Sequence, residues 1–363
     1  MRKICLAVTV LLSVIFCAGV SMAALKAEYK LSCNLADNNP WGQGAAMFVK
    51  LVAERTGGKV NIKPYWSAQL LGGNQSSELM LIRNGTIDFS FAGPANWAAQ
   101  LPVVNVANLP WFVSSQKDRF KAYDALFINP DSKVRKMLEE KFAEVGVVTL
   151  AWGENGFREL HSNRPIRKPE DLKGLKIRVV ATPIWAETLT TLGANAININ
   201  WTEAVSAFQQ GLVDAGENPY SVLIPYHIYE FHKYFINWSW VAGPLAFVAS
   251  KQAWGAFDDD TKKILIECAE EAATYNRALA RMGIDGGWGY SYLKERNLLP
   301  EDQNAMPYDP YKLLKDNGVT IIELTPEEFQ AFRDAVKPIY EKHVKLIGEE
   351  LVKAAEEEMA KVQ

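Results

Sequence analysis

Near the start of the chain, apolar residues Tyr29, Leu31, Cys33 and Leu35 alternate with polar residues at 30, 32 and 34. That period of two predicts a strand. Residues 41–55 change to helical spacing and run into Gly57-Gly58, a helix stop signal. Strand patterns follow at 60–64 and 86–91, around a short helix at 76–83 that ends at Gly85. Helices are predicted at 116–128 and 131–144, then a strand at 147–152. A second run of the same kind follows, with strands at 175–180, 196–199 and 212–216 separated by helices at 183–192 and 202–210. Two further strands are predicted at 234–241 and 244–249. The chain then turns helical, with a strongly amphipathic stretch at 261–280 and a mostly helical end at 326–361. Strands that alternate with helices imply βαβ units and a mainly parallel sheet.

The two halves share one local pattern. Gly85-Thr86-Ile87-Asp88 follows a helix and leads to Pro94, and Gly211-Leu212-Val213-Asp214 does the same before Pro219. Duplication of an α/β unit and coincidence both account for so short a match. No Pro-rich or Ser/Gly-rich linker separates the halves, as expected when strands rather than a tether join two domains.

The first 23 residues set the compartment. Arg2 and Lys3 precede an almost wholly apolar stretch at 4–16, and Ser21-Met22-Ala23 supplies the small residues of a cleavage site. This is the layout of a cleaved secretory signal, with the cut after Ala23. The apolar run is shorter than the roughly 20 residues of a spanning helix, and Phe16 before Cys17 is too bulky for a lipoprotein site. The expected location is therefore the periplasm. The remaining chain of about 340 residues exceeds one core, so two domains are expected.

Charged residues make up 22% and hydrophobic ones 48%, as in ordinary globular proteins. Without Arg2 and Lys3 there are 37 basic against 42 acidic residues, a net charge of −5. That balance offers no basic face for nucleic acid. Cys33 lies in a strand pattern and Cys268 in a helix pattern. Two buried free thiols are preferred over a disulfide, which an oxidising compartment also allows.

Motifs for catalysis are missing: G-x-S-x-G, H-E-x-x-H, a P-loop, G-x-G-x-x-G and C-x-x-C do not occur. Of the four histidines, His227 and His232 are five apart, an awkward spacing for a metal pair on a helix. Asp258-Asp259-Asp260 directly precedes a helix and reads as a cap rather than a calcium site. No cofactor or metal is expected.

The residues that suggest binding lie at strand ends. Arg178 sits in Leu175-Lys176-Ile177-Arg178-Val179, a strand pattern that should be buried. Its guanidinium can fork onto a carboxylate or sulfonate, and ligands in open sheets sit beyond the carboxyl ends of strands. An internal salt bridge explains it equally well. Arg158 and Asn218 also follow strands, Asn218 in Gly216-Glu217-Asn218-Pro219. The Asn218 amide suits anion or hydroxyl recognition, and a plain turn before proline is the alternative. Trp201, Tyr220, Trp238 and Trp240 in the second half, with Trp41 and Trp97 in the first, can wall a small pocket.

Three pieces in order carry a family resemblance: Asp171-Leu172-Lys173-Gly174-Leu175-Lys176-Ile177-Arg178-Val179, Leu192-Gly193-Ala194, and Gly216-Glu217-Asn218-Pro219. Asn84-Gly85-Thr86-Ile87-Asp88 and Leu109-Pro110-Trp111 add to it. Over about 28–345 the chain resembles the DctP-type solute-binding proteins of TRAP transporters, the tripartite ATP-independent periplasmic systems. The resemblance implies an α/β, two-domain periplasmic-binding-protein fold with a ligand cleft between the domains and a helical C-terminal region. The expected division is residues 24–152 with 243–283 in the first domain, and 153–242 with 284–363 in the second. The resemblance further implies Arg178 as anion anchor, Arg158 as its assistant, Asn218 completing the clamp, and Trp201 as a wall. Tyr220 and Trp240 are further candidates for the aromatic wall. First-domain residues are expected to set the substrate, here Asp37, Asn38, Trp41, Glu78, Asn96 and Trp97. No extra arginine stands among them, which favours a hydroxy acid, keto acid or isethionate-like sulfonate over a C4-dicarboxylate. Implied partners are a small and a large integral membrane subunit, with uptake driven by an ion gradient. The C-terminal helices leave monomer or homodimer open. The competing readings are a binding protein of an ATP-driven importer or sensor, and an exported enzyme acting on a small acid.

Overall fold

The protein, described here for residues 25–362 by a computed structural model, builds two sheets. The expected signal segment lies outside the described residues. In chain order the strands are β1 (Tyr29–Cys33), β2 (Ile62–Tyr65), β3 (Phe89–Ala92), β4 (Val147–Phe157), β5 (Glu159–Ser162) and β6 (Lys176–Val179). Then come β7 (Asn195–Asn198), β8 (Ala215–Asn218), β9 (Tyr234–Asn237), β10 (Ala242–Ser250) and β11 (Thr320–Glu323). The first sheet has the order β2-β1-β3-β10-β4 and the second β11-β9-β5-β8-β6-β7.

Each lobe starts from the same βαβαβ unit. β1 lies between β2 and β3, parallel to both, and β6 lies between β7 and β8, also parallel to both. The Gly-x-x-Asp segments occupy the same place in each. Gly85 and Gly211 take left-handed φ values of 74° and 65°, which glycine adopts at no steric cost. Asp88 then accepts from Lys30 N at 2.9 Å and donates its own N–H to Lys30 O at 3.1 Å. Asp214 repeats this on Lys176, at 2.9 and 2.8 Å. In both lobes the aspartate thus clips the entry of one strand to the start of its neighbour.

The sheets are mixed rather than mainly parallel. The antiparallel pairs are β3–β10, β10–β4, β5–β8 and β5–β9. They arise because the chain changes lobe along two nearly continuous strands. β4 becomes β5 through Arg158, and β9 becomes β10 through residues 238–241. The two crossings stay paired between the sheets: Arg158 N donates to Val241 O and Trp240 N donates to Arg158 O, both at 3.1 Å. The hinge is therefore a two-stranded ribbon.

Helices cover the sheets. Pro40–Arg55 begins at Asn39, whose side chain accepts from Trp41 N and Gly42 N, and Asp258 caps Asp259–Arg281 through Thr261 N at 2.7 Å. Those bonds satisfy N–H groups that the first turn of a helix leaves without a partner. Cys33 and Cys268 are free and buried. The C-terminal helices Pro326–Ala335, Lys337–Ile347 and Glu349–Ala360 are shared between lobes rather than belonging to the second alone. Glu358 accepts from Ser132 Oγ at 2.7 Å in the first lobe, while Lys342 and His343 hold Glu187 of the second at 2.8 and 3.0 Å. Among the described residues no helix is long and apolar enough to cross a membrane, and no three His, Cys, Asp or Glu side chains are grouped to hold a metal ion.

Candidate functional site

Arg178 lies on β6, an inner strand beside the edge of the second sheet, in register with Ile197 on one side and Gly216 on the other. Its side chain is wholly buried. Nε donates to Ile199 O at 2.9 Å, and the guanidinium carbon lies 5.3 Å from the Trp201 ring centre. Both terminal nitrogens are buried without a partner. Leaving such strong donors unpaired is costly, and a ligand that accepts from them recovers that cost. Burial pushes the Arg178 pKa down to about 9, Glu217 partly offsets this, and Arg158 adds to it. Arg178 is thus a cation at neutral pH.

The internal salt bridge belongs to Arg158 instead. Its Nε donates to Glu217 Oε2, and one terminal nitrogen reaches Glu217 O at 2.6 Å, Glu217 Oε1 at 3.1 Å and Asn218 Oδ1 at 2.9 Å. An arginine only donates, so this last bond fixes the orientation of the Asn218 amide. The oxygen is spent on Arg158, and Nδ2 is left buried without a partner. Trp185 stacks on Arg158, with the guanidinium carbon 4.7 Å from the ring centre, and its Nε1 is likewise unpaired.

These groups line one cavity of about 540 Å³, counting its opening to solvent. Arg178, Arg158, Asn218 and Trp201 meet Trp41 and Asn96 of the first lobe there. Trp41 is held by its indole N–H on Phe91 O at 2.7 Å. The lining also includes residues that the sequence reading did not single out: Gln75, Trp185, and Asn155 with residues 242–245 from the hinge strands. Trp185 lies in the first turn of the helix Pro183–Thr191 just after the Arg178 strand, so the strand-end rule that pointed to Arg178 applies to it as well.

Seven expected residues lie outside this lining: Tyr220, Trp240, Trp238, Asn38, Asp37, Glu78 and Trp97. The Tyr220 hydroxyl bonds to Asn237 and its ring packs on Phe235 and Tyr311, away from the cavity. Trp240 is buried behind the lining, 5.7 Å from Trp185 and 5.6 Å from Trp238. Asn38, with Asp37, is exposed in the loop before the first helix. Glu78 is one layer back, accepting from Ser90 Oγ at 2.8 Å and Trp97 Nε1 at 3.0 Å. Burial raises its pKa to about 7.

Hydrogen bonds between the lobes close over the cavity's mouth. Ala36 N donates to Tyr226 Oη at 3.1 Å, Trp201 N to Gln75 Oε1 at 3.0 Å, and Thr182 Oγ1 to Ala95 O at 3.0 Å. The lobes are closed over the cavity.

Two α/β lobes on a strand hinge, closed over a buried and unpaired cation, define a bilobed solute-binding protein. The chain belongs to the DctP family of TRAP solute-binding proteins: the family profile, described as bacterial extracellular solute-binding protein, family 7, matches residues 31–283. It is similar to the crystal structure of a TRAP periplasmic solute-binding protein from Ralstonia eutropha H16 with bound (S)-2-acetolactate, at 38% identity and a TM-score of 0.83, covering 93% of this chain and 99% of that one. It is also 29% identical to the 2,3-diketo-L-gulonate-binding periplasmic protein of Escherichia coli K12, covering 86% of each. A C4-dicarboxylate-binding periplasmic protein of Rhodobacter capsulatus is 27% identical over 90% of this chain and 89% of its own length.

Proposed function

We propose that this protein captures a short hydroxy- or keto-monocarboxylate in the periplasm and presents it to the small and large membrane subunits of a TRAP transporter, which move it on an ion gradient. The observation that carries this reading is the pair of buried, unpaired Arg178 nitrogens beside the unpaired Asn218 Nδ2. A carboxylate supplies the two acceptor oxygens that such a fork needs. Trp185 Nε1 is a further buried donor among the lining residues, so the rest of the ligand is expected to present acceptors such as a keto or hydroxyl oxygen. The bound acetolactate of the Ralstonia protein has this chemistry. Residues 1–23 are proposed as a cleaved leader, which N-terminal sequencing of the exported protein tests by a start at Ala24.

The binding test is a thermal-shift screen followed by calorimetry on the mature protein, with hydroxy and keto acids, sugar acids, dicarboxylates and isethionate. The strongest response is expected from a hydroxy- or keto-monocarboxylate. A stronger response to a sugar acid, a dicarboxylate or isethionate replaces the substrate class, and no response to any anion overturns the reading.

A further inference from the structure

We propose that Glu217 sets the charge of the ligand: by neutralising Arg158 it leaves Arg178 as the single uncompensated cation, so the closed cleft accepts one negative charge. This inference rests on anion capture in the cleft and adds a specificity residue behind its wall.

Arg158 and Arg178 are the only charged side chains among the described residues that line the cavity. Glu217 is fully buried, and both of its carboxylate oxygens receive hydrogen bonds from Arg158. None of its bonds goes to Arg178. Its neighbour Asn218 is tied to the same arginine, so the charge pair and the cavity donor form one unit. Other buried ionisable groups nearby lie outside the lining and have hydrogen-bond partners of their own. Glu154 is paired with Arg281, Glu159 with Ser239, and Glu78 with Ser90 and Trp97. His161 and His232 share a hydrogen bond between their Nδ1 atoms at 2.6 Å, and burial lowers the pKa of both, keeping them neutral at pH 7. The two lining arginines with the carboxylate bonded to one of them therefore give the cavity one net positive charge. A monocarboxylate balances it, whereas the second carboxylate of a dianion is desolvated without a counter-charge.

The test compares Kd values for 2-acetolactate and malate in the wild type, in Glu217→Gln, and in the double variant Arg158→Gln/Glu217→Gln. Removing the carboxylate raises the site by one charge, and malate is expected to gain on acetolactate by about tenfold or more. The double variant restores the charge and is expected to return the ratio toward that of the wild type, whatever its absolute affinities. A merely structural Glu217 lowers both affinities together and leaves the ratio unchanged, which overturns the proposal. Absence of malate binding in a folded Glu217→Gln does the same. A second arm needs no variant. Between pH 8 and the second pKa of malate, its singly charged form grows about tenfold per pH unit, so wild-type affinity for malate should rise as pH falls. Acetolactate measured alongside, and the same titration in Glu78→Gln, which removes the buried carboxylate whose pKa is raised to about 7, separate this from titration of the protein. Malate affinity that does not rise relative to acetolactate overturns the proposal. A wild type that binds no anion overturns the anion-capture reading itself, whereas acetolactate binding with an unmoved ratio overturns only the role of Glu217.

Discussion

Gln75 of one lobe caps a helix of the other: its side-chain oxygen accepts from Trp201 N at 3.0 Å. Trp201 opens the helix Trp201–Gln209, and Asn200 before it makes no side-chain cap. The N–H is thus an orphan of the first helical turn that finds its partner only when the lobes meet. Gln75→Ala should favour the open form and weaken ligand binding by about 1 kcal/mol, the usual value of a helix cap. Calorimetry reads the loss, and small-angle scattering should show a more extended unliganded protein. Unchanged affinity and shape would mean that the bond follows closure without stabilising it.

The unpaired Arg178 fork is a cost to stability. Arg178→Met keeps most of the volume and removes a buried charge that lacks a carboxylate partner. Ligand affinity should fall by about 2–5 kcal/mol, the range for losing one side of a desolvated charge pair. The melting temperature of the unliganded variant should stay level or rise. A variant that melts far lower without ligand would show that the arginine is a structural support.

Glu78 gives a pH test with a defined sign. Burial raises its pKa from 4.5 to about 7, so over that interval the folded state binds more protons than the unfolded one. Stability from this group is complete at low pH and is lost as pH rises through about 7, by on the order of 3 kcal/mol. Glu78→Gln should be nearly as stable as the wild type at pH 5 and more stable at pH 8. Denaturant unfolding at the two pH values checks this, and parallel pH curves for the two proteins would refute it.

Gly216 stands beside Arg178 in the sheet and leaves room for a histidine ring. A Cβ there would come within 2.7 Å of both His161 Nε2 and Phe208 Cζ. Gly216→Ala should cost about 1–3 kcal/mol, as overpacking does, and should also weaken binding by shifting the strand that carries Asn218. Equilibrium unfolding and calorimetry measure the two effects separately.

Most of the framework was legible because it depends on local pattern. The alternation at 29–35 and 175–180, the glycine stops and the paired Gly-x-x-Asp segments place the βαβαβ units, and strand-end logic finds Arg178 and Asn218. What escaped is non-local. β5 reads Glu-Leu-His-Ser, too polar to look like a buried strand. It is buried because Glu159 bonds to Ser239 and His161 to His232, far along the chain. The pairing of Arg158 with Glu217 spans 59 residues, so the sequence showed two arginines without showing which one was already neutralised. Trp240 and Trp185 look alike as isolated tryptophans. Only packing decides that one lines the cavity and the other backs it.

The crossing strands also govern when the molecule can fold. β10 lies between β3 and β4, so the first sheet has a gap until residues 242–250 arrive, after five of the six strands of the second sheet have been made. Contacts so distant in sequence form slowly. The strand order that joins the two lobes through one ribbon thus also leaves the leading half of the chain without a complete first sheet until β10 is made.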